Sequence, residues 1–350
     1  MEIPAWGIGL DGAEARIGTR GGVALSWSVP GPLGERIDIL DGYRDRAERR
    51  SGDGARQALL VPWSNRIRDS RCTWDGVDLD FGPDRDGIRE ALHGLALWKD
   101  FELVEESDSR LRLRTRLEEA PYPAPLDVDV VYALGHTQDA AGADAWSLDL
   151  TLSVRNRGTA DAPVGLGWHP YVRFLGGHAG ARLEVPAAWH IRVDDDLIPL
   201  DGDAAFEAVD DPHTPGVVGD DGLVTLLDPH GLDDAWTGLN SRDGVVRATL
   251  HHANGARTTL EAHTKLDGMP GSAAARGADN GVIPLPELHR GIGVVHFFTG
   301  EPLAHRPHQA LAMEYCQFMT NAYNRSDLLP ALRLAPGATR TMRCRLLHTN

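Results

Sequence analysis

Lysine is nearly absent from this sequence: of 35 basic residues, only Lys99 and Lys265 are not arginine. Basic charge as a whole is also short, because 51 Asp and Glu residues leave a formal net charge of −16. Proteins that grip nucleic acid or anionic membranes present basic surfaces, since each phosphate contact releases counterions. No nucleic acid and no membrane partner is therefore expected. Cysteine is scarce too. Cys72, Cys316 and Cys344 are odd in number and contain no C-x-x-C pair, which argues against a disulfide scaffold and for free thiols in a reducing compartment. No apolar run approaches the roughly eighteen residues that span a bilayer. The opening MEIPAWGIGLDG has neither the basic nor the apolar region of a secretory signal. A cytoplasmic protein is expected.

Helical periodicity is missing as well, apart from one short helix expected over Asp53–Leu60. What replaces it is alternation. In Trp146–Val154, Trp146, Leu148, Leu150, Leu152 and Val154 share one face, as they would on a half-buried strand. Arg110–Leu117 alternates arginines with Leu111, Leu113, Thr115 and Leu117. Further strands are predicted at Leu126–Tyr132, Leu183–Val193, Val245–His251, Arg257–His263, Ile292–Phe298, Ala310–Phe318 and Thr341–Leu347. Asp75-Gly76 and Asn254-Gly255 fall between strand candidates, where a tight hairpin needs positive φ. With 39 Gly and 22 Pro for turns, the chain reads as all-β.

Familiar catalytic motifs are not found: there is no G-x-S-x-G, H-E-x-x-H or phosphate-binding Walker loop. Gly7-Ile8-Gly9-Leu10-Asp11-Gly12 matches G-x-G-x-x-G by formula, but lacks the strand before and helix after that dinucleotide binding requires. His305 and His308 are poorly spaced for a metal because Pro307 spoils helical presentation. The acidic stretches Asp194–Asp196 and Asp210-Asp211 read as solvated loops, with a hard-cation site as the lesser alternative. The stretch from Asp267 to Arg290 reads as an exposed loop.

More telling are polar residues set among apolar ones. Asn65-Arg66 follows Leu59-Leu60-Val61-Pro62-Trp63, and His93 lies between Leu92 and Leu95. His169 is flanked by Trp168 and Tyr171, and Glu314 falls inside Ala310–Phe318. A buried charge is costly unless paired, so these residues need partners or a task.

In order, P-W-S-N-R-I, L-H-G-L, G-W-H-P-Y, L-D-D-A-W and M-E…N-A-Y-N resemble the aldose 1-epimerase (galactose mutarotase) family, most closely its bacterial aldose 1-epimerase-like branch. The resemblance runs from residue 59 to about 347. It implies a large antiparallel β-sandwich with a sugar cleft on one sheet, and interconversion of α and β anomers with no cofactor and no metal. It places the general base on Glu314 and the general acid on His169. It assigns sugar binding to Arg66, His93, Asn65 and Asp233, with Asp234 selected by a one-residue shift. Trp168, Trp63 and Trp236 are candidates to stack on a sugar ring or to pack in the core. Where many bacterial relatives carry a Pro-rich run after the Glu, this chain reads E-Y-C-Q-F-M-T-N-A-Y-N.

The length suggests two domains, but the motifs spread from residue 65 to 314 and predict one domain over 1–350. Two alternatives stay open. A phosphosugar mutarotase would want extra arginines such as Arg68, Arg71 and Arg173 at the cleft, and a non-catalytic carbohydrate-binding protein would not need an acid–base pair.

Overall fold

The computed structural model describes residues 2–83, 87, 91–138, 142–185, 187–209, 223–225, 231–267, 283–284 and 290–350. Among these residues, two large antiparallel sheets carry the fold. The longer-stranded sheet runs in the order Leu223–Thr225, Arg182–Glu184, Val245–His251, Arg257–His263, Thr339–Thr349, Asp144–Asn156, Leu126–Gln138, Arg110–Leu117 and Glu102–Ser107, with Ser241–Arg242 added at Val245–His251. The second runs Phe206–Ala208, Ala187–Ile191, Asp233–Leu239, Ile292–Phe298, Ala310–Phe318, Gly167–His169 and Ala58–Leu60, with Tyr171–Arg173 also paired to Ala310–Phe318. One apolar cluster joins their facing sides, drawing Leu113, Val130, Leu150 and Leu346 from the first sheet and Leu59, Trp168, Phe297 and Met313 from the second. The result is a β-sandwich, as expected.

Strand alternation explains these faces. Arg110–Leu117, Val245–His251, Arg257–His263, Ile292–Phe298 and Ala310–Phe318 have the predicted limits. Ala310–Phe318 is buried at every position, because both of its faces are covered. Leu311, Met313 and Tyr315 enter the main core, while Ala310 and Ala312 join Tyr171, Phe298 and Leu303 on the other side. Glu314 shares that second face.

Three expectations need correction. Leu183–Val193 is not one strand: Arg182–Glu184 belongs to the first sheet and Ala187–Ile191 to the second. Asp53–Leu60 is not a helix either. An α-helix lies earlier, at Arg46–Ser51, where Asp45 caps the Ala47 and Glu48 amides, and Gly52 ends it at φ 72°. A 3₁₀ turn at Asp53–Ala55 and the strand Ala58–Leu60 follow. Asp75-Gly76 does make a two-residue hairpin with φ 49° and 80°. Asn254-Gly255 sits instead in a five-residue connection, because His251 pairs with Arg257.

The Gly7–Gly12 stretch forms the end of one strand and a hairpin turn into Ala13–Gly18, so no helix follows it. Asp194 is bonded to Arg68 and caps the Asp196 and Ile198 amides. Asp210-Asp211 and most of 267–290 lie outside the described residues. The three cysteines are free and buried, and burial pushes the Cys72 thiol up to about 12. Among the described residues, no helix is long and apolar enough to cross a membrane.

Candidate active site

The pocket floor is a cross-strand row. Trp168 pairs with Tyr315, which brings the next residue, His169, beside Glu314; on the far side of that strand, Glu314 pairs with His296. His169 Nε2 lies 3.1 Å from Glu314 Oε1, and both side chains are almost fully buried. Asp233 enters diagonally, accepting from His296 Nε2 at 2.7 Å. These side chains line a cavity of about 290 Å³ together with Asn65, Arg66, His93, Tyr171, Phe298 and Trp98. Ser51, Gly52, Gly54 and Ala55 line it as well.

Asn65 and His93 come from two loops that lock together. Both have left-handed backbones, φ 56° and 61°, a conformation that costs a non-glycine residue about 1–3 kcal/mol and is retained where the surroundings impose it. The His93 amide donates to the Asn65 carbonyl at 3.0 Å, and the Asn65 amide donates to His93 Nδ1 at 3.3 Å. The second bond makes Nδ1 an acceptor and leaves the proton on Nε2. Gly94 is essential to this arrangement: a Cβ there would lie 2.2 Å from the Val61 carbonyl oxygen.

Burial dominates the electrostatics. It lowers His93 well below the ordinary imidazole value, and the charges of His169, Arg66 and His296 add to the shift. Burial also lowers His169, only partly opposed by the Glu314 charge. The contact with a carboxylate favours the imidazolium, but desolvation of a side chain this deeply buried outweighs it. His296 behaves oppositely. Burial would lower it, but the Asp233 hydrogen bond and the charges of Glu314, Asp233 and Asp234 hold it at about 9. At neutral pH the pocket therefore carries an imidazolium on His296.

Of the residues singled out from sequence, Glu314, His169, Arg66, His93, Asp233 and Asn65 meet in this cavity. Trp168 does not. It is fully buried in the sandwich core, because strand alternation turns it away from the face of His169. Trp63 and Trp236 are also core residues, and the indole that lines the cavity is Trp98. Asp234 points to the opposite face from Asp233 and bonds His190 at 2.7 Å. Arg68, Arg71 and Arg173 pair with Asp194, Asp80 and Asp41 and do not line the cavity. His305 and His308 are split between different acids, Asp53 and Glu301.

Sequence reasoning passed over His296, whose only signal is an ionisable residue inside the apolar strand Ile292–Phe298. Tyr171 was noted only as a neighbour, yet its ring stacks on His169 with centroids 5.2 Å apart. His93, His169 and Glu314 bring three ligand-type atoms within 4.8 Å of one another, a set with the chemistry of a metal site. Coordination through His93 would have to displace the Asn65 amide from Nδ1 or remove the proton from Nε2.

With this geometry in view, the chain belongs to the aldose 1-epimerase family, whose model matches residues 7–269. The matched span ends before His296 and Glu314. Two uncharacterised Escherichia coli K-12 proteins are similar over part of their length. YihR is 31% identical over 116 residues, covering 33% of this chain and 35% of YihR. YphB is 32% identical over 112 residues, covering 32% of this chain and 35% of YphB. The alignments thus span about a third of these curated relatives. Among solved structures, a Caenorhabditis elegans GalM/aldose epimerase homologue superposes with a TM-score of 0.74 at 17% identity, covering 100% of both chains. The Lactobacillus acidophilus galactose 1-epimerase superposes at 0.66 with 13% identity, again over 100% of both. These likenesses establish the galactose mutarotase-like sandwich as the fold.

Proposed function

We propose that this chain is an aldose 1-epimerase, an isomerase that interconverts the α and β anomers of a free aldose such as glucose or galactose. The observation that carries this reading is the 3.1 Å approach of His169 to Glu314 on the floor of a cavity that Asn65, Arg66, His93 and Asp233 also line. Glu314 takes the proton of the C1 hydroxyl while the His169 imidazolium gives one to the ring oxygen. The bond between C1 and the ring oxygen then breaks and a C1 carbonyl forms. After rotation about the C1–C2 bond the two transfers reverse, and the ring closes on the other carbonyl face. No proton is consumed, and no cofactor is called for. Arg66, Asn65, Asp233 and the Nε2–H of His93 supply polar contacts for the hydroxyls, and the single domain expected over 1–350 keeps all of these groups on one scaffold. A phosphosugar substrate gains no support, since Arg66 is the arginine lining the cavity among the described residues.

The test is polarimetry on freshly dissolved α-anomers. General acid–base catalysis typically contributes about 10²–10⁴-fold, so Glu314→Gln should lower kcat by that order. Full activity in the variant removes Glu314 as base. No acceleration by the wild type for any aldose favours the carbohydrate-binding alternative. The acid must be charged, and burial lowers His169, so the imidazolium is lost as pH rises. The alkaline limb of kcat/KM should therefore fall below 6.5, the ordinary imidazole value. A limb above that value removes His169 as the acid.

A further inference from the structure

The two oxygens of Glu314 meet different partners. Oε1 lies 3.1 Å from His169 Nε2, and Oε2 accepts from the Cys316 thiol at 3.8 Å. Strand alternation sets Glu314 and Cys316 on one face of Ala310–Phe318, two residues apart. The register partner of Cys316 on the neighbouring strand is Gly167, and a Cβ there would lie 3.2 Å from the sulfur. The glycine thus leaves the thiol its space. Cys316 is buried and does not line the cavity, so it touches the carboxylate and not the contents of the pocket. Ser64 also interacts with the thiol. Its hydroxyl already donates to the Phe318 carbonyl at 3.1 Å, so it can meet the S–H only as an acceptor.

We propose that Cys316 is a positioning residue for the general base: its S–H holds Glu314 Oε2, which fixes the plane of the carboxylate and leaves Oε1 as the oxygen that takes the C1 hydroxyl proton. The proposal deepens the epimerase reading and rests on it. A thiol is a weak donor with one proton to give, and a carboxylate is a stronger acceptor than the Ser64 hydroxyl. Burial and the Glu314 charge push the thiol well above its ordinary value, so the proton stays on sulfur. Held at both oxygens, the carboxylate does not turn between the opening and closing steps, and each proton transfer starts from an aligned group. The sulfur makes and breaks no covalent bond in the reaction.

Two measurements test this. Polarimetry gives kcat and KM for the wild type, Cys316→Ala and Cys316→Ser, after thermal midpoints have shown that each is folded. Cys316→Ala should lower kcat about tenfold and leave KM within about twofold, as loss of a bond to the base rather than to the sugar does. Cys316→Ser supplies another donor and should return kcat to within about threefold of wild type. Packing alone predicts the reverse order, because an unmatched hydroxyl costs more in a buried place than a methyl does. The second measurement compares the Raman S–H stretch of the wild type with that of Glu314→Gln. A charged acceptor weakens the S–H bond, so the band should move to higher wavenumber in Glu314→Gln. The other two thiols, Cys72 and Cys344, cancel in the difference spectrum. A kcat for Cys316→Ala within about twofold of wild type, a Cys316→Ser no faster than Cys316→Ala, or an unchanged S–H spectrum overturns the proposal and leaves the epimerase reading intact. If the wild type accelerates no sugar, that reading fails instead. In that case, or if a Cys316 variant does not fold, the Raman difference decides: a shifted band supports the thiol's hold on the carboxylate, and an unchanged one overturns it.

Discussion

The two sheets carry the same kind of polar row in opposite surroundings. On the outer face of the longer-stranded sheet, Arg114 and Asp129 are register partners 3.0 Å apart, and Arg247 and Glu261 are 2.7 Å apart. Arg345 lies between Asp149 and Glu261 on adjoining strands. The arginines of this ladder are about half exposed, so water screens each pair. On the second sheet, His169, Glu314 and His296 also stand in register, but the row lies on the pocket floor, where burial desolvates its histidines. One row is solubilising decoration. In the other, each protonation state depends on its neighbours.

That contrast can be broken from its strong end first. Gly94→Ala places a Cβ 2.2 Å from the Val61 carbonyl oxygen at φ +74°, so the His93 loop must move. We expect a loss of roughly 3 kcal/mol or more in urea unfolding, together with loss of sugar turnover. Next comes acid. Burial holds His252 at about 3 and His348 at about 4, each bonded to Thr258 Oγ1. A depressed imidazole leaves stability unchanged above the unfolded value near 6.5. Below it the unfolded chain binds protons that the folded chain refuses, so stability falls toward the two folded values. The unfolding free energy from urea titrations should drop between pH 6.5 and 4 by an amount on the order of a few kcal/mol, and by less in His348→Gln. Smallest is the exposed ladder, where Asp129→Asn should cost under about 1 kcal/mol and leave kcat unchanged.

How much of this was legible in the sequence follows from the same contrast. Arg257–His263 and Arg110–Leu117 were readable because water on one face enforces strict alternation. Glu314 stood out because a carboxylate inside A-L-A-M-E-Y-C has no reason to be there without a partner. Trp168 misled because proximity in sequence to His169 puts it on the opposite face. His296 was silent because one histidine in an apolar strand looks like any satisfied core residue, and its meaning comes from Asp233, which is remote in sequence. The break between Arg182–Glu184 and Ala187–Ile191 had a signal in the sequence, Pro186, which cannot donate to a ladder, but the apolar residues on both sides of it read as one run.

The burial of Ala310–Phe318 at every position bears on how this pocket breathes. A strand paired on both sides and sealed on both faces opens only when the sandwich itself opens, so the Glu314 amide belongs with the slowest-exchanging hydrogens of the molecule. The lining at Ser51–Ala55 forms no sheet ladder, so it can shift without breaking strand pairs. Breathing of the pocket is therefore expected at Ser51–Ala55, over a floor that stays still.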